Sequence, residues 1–114
     1  MKIEEYQFGR IKINGKIYTK DLIVYPSRIS ENWWRKEGHV MCTQDIGEIL
    51  DYKPEILIIG TGYSGIMKVP ENVVKEVEKR GIKTEIYSTK EAVKKFNEYM
   101  EKGRRVVCAL HLTC

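Results

Sequence analysis

The residues from Glu55 to Pro70, EILIIGTGYSGIMKVP, constrain this chain more than any others. Ile56-Leu57-Ile58-Ile59 is an unbroken aliphatic run that stops at Gly60-Thr61-Gly62, with Gly65 close behind. An apolar, β-branched run ending at glycines predicts a strand buried on both faces whose C-terminal end passes into a tight turn. In an open α/β sheet that end is where ligands bind. The run therefore marks a place and names no reaction.

Gly60, Gly62 and Gly65 also spell G-x-G-x-x-G, the pattern that brings a pyrophosphate against the backbone in dinucleotide-binding folds. The context speaks against that use. The following helix starts best at Pro70, well beyond the glycines, because proline suits a first helical turn. The next strand, about Ile82 to Tyr87, ends in Tyr87-Ser88 with no carboxylate at its tip for a ribose, since Glu85 lies inside it. The chain beyond Glu55 also supplies a single β-α-β-α-β half where a full dinucleotide fold needs two. The expectation is a glycine turn that lets the chain reverse above the sheet, and no cofactor.

That half is legible throughout. Pro70 to Arg80 is amphipathic through Val73, Val74 and Val77 and is followed by Gly81. Ile82, Thr84 and Ile86 alternate as a strand. Ser88-Thr89-Lys90-Glu91 reads as a capping box for a helix burying Ala92, Val93, Phe96 and Met100 and stopping at Gly103. Val106 to Leu112 is the last strand. Upstream, Arg10 to Ile13 and Lys16 to Thr19 flank Asn14-Gly15, a hairpin signal, and Leu22 to Tyr25 is a more buried run ended by Pro26. Ser27 to Gly38 reads as irregular and holds Trp33-Trp34-Arg35. Thr43 is placed to cap a short helix from about Gln44 to Leu50. The whole describes one α/β domain over residues 1–114 in three layers. Its central sheet is mostly parallel or mixed, and an N-terminal β-hairpin forms a small extra layer.

Composition bears on the function classes. Lys and Arg total 20 against 16 Asp and Glu, a net charge of +4, and the late basic residues are interleaved with Glu91, Glu98 and Glu101. The Glu91–Lys95 and Glu98–Lys102 spacings suit ion pairs on a solvated helix face, not the one-signed patch of a nucleic-acid surface. No segment has the apolar length of a membrane span, and MKIEEYQFGR lacks the apolar region of a signal peptide, so a cytoplasmic location is the default expectation. Three cysteines without a C-x-x-C give neither a disulfide framework nor a zinc ribbon. On a strand, Cys108 and Cys114 face away from His111, so no metal is expected from them.

A nucleophilic triad finds no support, because Ser64 lacks the flanking glycines of a nucleophile elbow. His39 reads as a structural hydrogen-bonding residue. The candidate ligand pocket is the sheet's C-terminal edge, where parallel strands would gather Gly60, Thr61, Gly62, Ser88, Thr89 and His111. Trp33 and Trp34 are read as a lid on the core edge or, alternatively, as a protein-interaction surface.

The motifs IIGTG after a strand, Thr89-x-x-Ala92-x-x-x-Phe96-Asn97 and the closing KGRRVVCALHLTC, with Gly9 to Tyr18 and the Trp34 and Gly38-His39 region, resemble the Mth-type domain family. That resemblance implies a compact three-layer α/β domain with a small extra β layer, similar to half a Rossmann arrangement. It implies no established reaction and no catalytic residues, and it points to assembly or regulatory work through protein partners. The functional expectation is thus a non-enzymatic binding or assembly module. The alternative is an enzyme or sensor for a small anionic ligand at the sheet edge.

Overall fold

The structure, a computed structural model describing residues 1–114, contains a three-stranded and a five-stranded sheet. Strands β1 (Ile3–Gln7), β2 (Arg10–Ile13) and β3 (Lys16–Tyr18) form the small antiparallel sheet in that order. Asn14 and Gly15 both have positive φ, 49° and 82°, as a type I′ hairpin turn requires. Strand β1 was not expected. Its IEEYQ sequence alternates too weakly to stand out, and its pairing to β2 is interrupted by a bulge between Ile3 and Glu5.

The large sheet is built from β4 (Leu22–Val24), β5 (Ile29–Ser30), β6 (Ile56–Gly60), β7 (Lys83–Tyr87) and β8 (Val106–Leu110), in the order β5-β4-β8-β6-β7. β6, β7 and β8 run parallel, and β4 pairs antiparallel with β8, so the sheet is mixed. Every residue of β6 and β8 is buried. The four aliphatic side chains of β6 alone correspond to about 6–12 kcal/mol of transfer free energy. β5 corrects the reading of Ser27 to Gly38 as wholly irregular: Val24 and Ile29 pair across the Pro26 turn as a two-residue edge strand.

Helix α1 (Gly47–Tyr52) follows a 3-10 turn at Thr43–Ile46. The cap of that turn is Cys42 and not Thr43, with the Asp45 carboxylate accepting the Cys42 N–H at 2.8 Å. Helix α2 (Glu71–Lys79) has Pro70 as its N-cap and buries Val73 and Val77. Helix α3 (Thr89–Glu101) buries Thr89, Ala92, Val93 and Phe96. Ser88 is its N-cap, but its hydroxyl makes no capping bond, which corrects the capping-box expectation. The charges on α3 pair as Glu91–Lys94 and Lys95–Glu98, one residue closer than the spacing suggested.

Two cores lie on opposite faces of the large sheet. One joins α1, α2 and the Trp33–Met41 region to Ile23, Leu57, Ile59, Val107 and Ala109. The other joins α3 and the small sheet, through Ile3, Ile11 and Ile13, to Val24, Ile56, Ile58, Cys108 and Leu110. The result is three layers, with the hairpin sheet sharing a layer with α3.

Candidate functional site

The sheet's C-terminal edge brings Gly60, Thr61, Gly62, Ser88, Thr89 and His111 together, and Thr89 is its hub. The hydroxyl of this fully buried residue donates to the His111 carbonyl at 2.6 Å and accepts the Gly62 N–H at 2.8 Å. Its own N–H donates to the Gly62 carbonyl at 3.0 Å. One threonine thus ties the β6 turn, the start of α3 and the end of β8.

The glycines make room for this knot. A Cβ on Gly60 would lie 2.7 Å from the Leu110 side chain and 3.0 Å from the Thr89 hydroxyl, so Gly60 lets α3 start against the strand. Gly62 has φ +111°, and a Cβ there would meet the Thr113 carbonyl oxygen and the Cys114 carbonyl carbon, both at 2.5 Å. The residues after β8 lie in the cradle that G-x-G-x-x-G forms in dinucleotide folds. They hold it with hydrogen bonds from Tyr63 N–H to the Thr113 carbonyl, 3.1 Å, and from Ile66 N–H to the Cys114 carbonyl, 3.2 Å. Thr61 is 6 % exposed, and both its N–H and its hydroxyl donate to the Tyr87 carbonyl. Ser88 is half-buried, and its carbonyl accepts the Ala92 N–H.

The His111 ring faces the α1/α2 side and joins Asp21 and Arg35, two residues that sequence reasoning had not assigned to the site. One Asp21 carboxylate oxygen sits 2.8 Å from His111 Nδ1 and 2.7 Å from Arg35 Nη2, and the other accepts the Leu112 N–H at 2.7 Å. His111 Nδ1 also lies 3.0 Å from Arg35 Nη2, so the ring nitrogen, the carboxylate and the guanidinium meet in one cluster. Burial pushes the Asp21 carboxyl up. The hydrogen bonds from His111, Leu112 and Arg35, with the Arg35 charge, outweigh it and hold the group below the ordinary aspartate range. Arg35 also donates from Nε and Nη2 to the Gly38 carbonyl and lies over the Trp33 ring at 4.6 Å. Arg35 Nη1 and His111 Nε2 are buried without partners. His39 stands edge-on to His111, with ring centroids 5.6 Å apart. The available signal was a charge beside apolar residues: Asp21 directly precedes the buried run Leu22 to Tyr25, and Arg35 directly follows Trp33-Trp34.

The tryptophans separate. Trp33 is 7 % exposed, and its Nε1–H donates to the Asp45 carbonyl at 2.8 Å, so it packs on the core as the lid reading has it and shares no exposed surface with Trp34. Trp34 is 76 % exposed beside a groove of about 450 Å³ lined by Lys20, Asp21, Asn32 and Trp33. A second aromatic surface lies by the start of α3. Phe8 and Tyr63, both more than half exposed, stack edge-on at 5.9 Å next to Tyr6 and Lys90.

A family model described as a protein of unknown function (DUF498/DUF598) matches residues 3–111. The chain belongs to that family. Among solved structures, a conserved hypothetical protein of Pyrococcus horikoshii is 32% identical, with a TM-score of 0.88 and full coverage of both chains. A Bordetella pertussis protein described as a Mth938-like domain is 20% identical over 97% of this chain and 85% of its own, with a TM-score of 0.65, a likeness of fold. The resemblance to Mth-type domains read from the motifs therefore holds. A curated relative, 27% identical over 94% of this chain and 87% of its own length, is named 13 kDa major membrane protein of Francisella tularensis. In the DUF498/DUF598 chain described here, no helix is long and apolar enough to cross a membrane.

Proposed function

We propose that this DUF498/DUF598 protein is a non-enzymatic binding module that works in the cytoplasm, engaging a protein partner through the groove beside Trp34 in an assembly-type role. The observation that carries this reading is Trp34 itself: a large aromatic, 76 % exposed, on a loop whose neighbours are fixed. Trp33 is anchored on Asp45, and Arg35 is clamped between Asp21 and Gly38. A tryptophan between two anchored neighbours orders little further backbone on binding, which suits it to act as an interface hot spot. The glycine turn and Thr89 support the same reading, since their polar groups are engaged by the chain's own residues. The test is quantitative affinity capture from the source organism with the wild-type chain and with Trp34→Ala. A partner retained equally by both variants refutes the assignment of the groove.

A second reading, a small anionic ligand at the sheet edge, draws support from Arg35 Nη1 and His111 Nε2, two buried polar atoms without partners on adjacent side chains. Thermal-shift measurements against inorganic phosphate, phosphorylated metabolites and nucleotides test it, because a bound ligand raises stability by mass action. A reproducible shift abolished by Arg35→Gln would replace the protein-docking reading.

A further inference from the structure

β7 is an edge strand, and its free side is self-complementary. It pairs with β6 alone, and Lys83 N–H and the Tyr87 carbonyl point at β6. In a parallel ladder alternate residues bond to one side, so Thr84 and Ile86, with Ile82 just before the strand, direct their N–H and C=O groups away from the sheet. None of the three backbone N–H groups has an acceptor outside it. The Thr84 hydroxyl is buried without a partner, and Ile86 is 43 % exposed.

We propose that this edge pairs antiparallel with β7 of a second copy of the chain, forming a two-fold dimer with one continuous sheet. The register follows from the residues. Centring the pair on Thr84 places Thr84 opposite Thr84 and Ile86 opposite Ile82 as hydrogen-bonded pairs. Lys83 then falls opposite Glu85 of the second copy, twice, in the non-hydrogen-bonded positions where side chains come closest. Threonine pairs and opposite charges both favour cross-strand pairing. Slipping the register by two residues either way sets Glu85 against Glu85 or Lys83 against Lys83, which opposes it.

Within one chain Lys83 Nζ already lies 3.3 Å from Glu85, and the Tyr87 and Tyr99 hydroxyls hold that carboxylate at 2.5 Å, so the charges are positioned before pairing. The two-fold axis runs perpendicular to the sheet, so each helix layer continues across the junction. The two Trp34 grooves remain uncovered.

The test is sedimentation equilibrium on the full chain at up to about 100 μM, a range that admits weak association through a small interface. The wild type is expected at twice the 13.3 kDa chain mass. Lys83→Glu turns both charge pairs repulsive and is expected to raise the dimer dissociation constant about tenfold or more. Thr84→Pro removes an outward N–H that makes no bond within the chain, and it is expected to give a folded monomer. Lys83 is an exposed side chain, so Lys83→Glu decides the matter if Thr84→Pro does not fold. Lys16→Glu, the same charge change on the small sheet, is expected to leave association unchanged. A wild-type monomer throughout, a dimer indifferent to Lys83→Glu, or equal weakening by Lys16→Glu would each overturn the proposal.

Discussion

Replacing Thr89 by valine isolates the knot at the sheet edge. Valine keeps the β-branched shape, so it opens no cavity in a residue that is fully buried. It deletes only the hydroxyl, leaving the Gly62 N–H and the His111 carbonyl without their 2.8 and 2.6 Å partners. Each buried group stripped of its partner costs about 1–3 kcal/mol, so losing both should make Thr89→Val about 2–6 kcal/mol less stable. That is a large part of the roughly 5–15 kcal/mol that holds a domain folded. Thr89→Ser keeps the hydroxyl and loses one methyl, at about 1 kcal/mol. Urea unfolding followed by circular dichroism reads both variants. At a slope of about 2 kcal/mol per molar, the valine midpoint should fall by about 1–3 M and the serine midpoint by about 0.5 M. The order of the two is decisive. If serine is as damaging as valine, shape and not hydrogen bonding holds the edge together, and the account of Thr89 is wrong.

Gly62→Ala should destabilise by more than about 2 kcal/mol, because a positive φ and a 2.5 Å backbone approach are both violated; an unchanged melting temperature would refute the close approach of Thr113 and Cys114. Asp21 contributes stability that is fully present above the ordinary aspartate value of about 3.9 and is lost as pH falls through its lowered folded-state value. Asp21→Asn should therefore cost roughly 3 kcal/mol at neutral pH by stranding Arg35 and should flatten the acid limb of a stability–pH profile. Trp33→Ala should cost about 3–5 kcal/mol as a core truncation, whereas Trp34→Ala should stay within about 0.5 kcal/mol; equal effects in thermal melts would contradict the separation of the two rings.

The C-terminal half was legible because its signals are local. An aliphatic run, an amphipathic helix and an alternating strand each declare themselves within a few residues, and β6, α2, β7, α3 and β8 fall where the periodicity puts them. The hairpin declared itself through Asn14-Gly15. What escaped depends on distant partners. β1 and β5 are strands because β2 and β4 lie beside them, their own residues being charged or few. Thr89 looked like part of a helix cap, since nothing local says that its hydroxyl will face Gly62 and His111. Asp21 and His111 are separated by most of the chain, so their contact leaves no spacing to read. Trp33 and Trp34 are identical in sequence terms and differ only in which side of the loop meets the core.

The strand order has a consequence for how the molecule comes into being. β8, the last of this sheet's five strands in chain order, lies between β4 and β6 and is hydrogen-bonded to both. Until it emerges, the growing polypeptide carries two unfinished sheet fragments, β4–β5 and β6–β7, that have no direct pairing with one another. Each presents an unpaired, aliphatic edge, the kind of surface that recruits chaperones or aggregates. A ribosome stalled before Val106 therefore holds a chain that cannot settle into its native sheet, and the joining of its two halves waits on a few late residues.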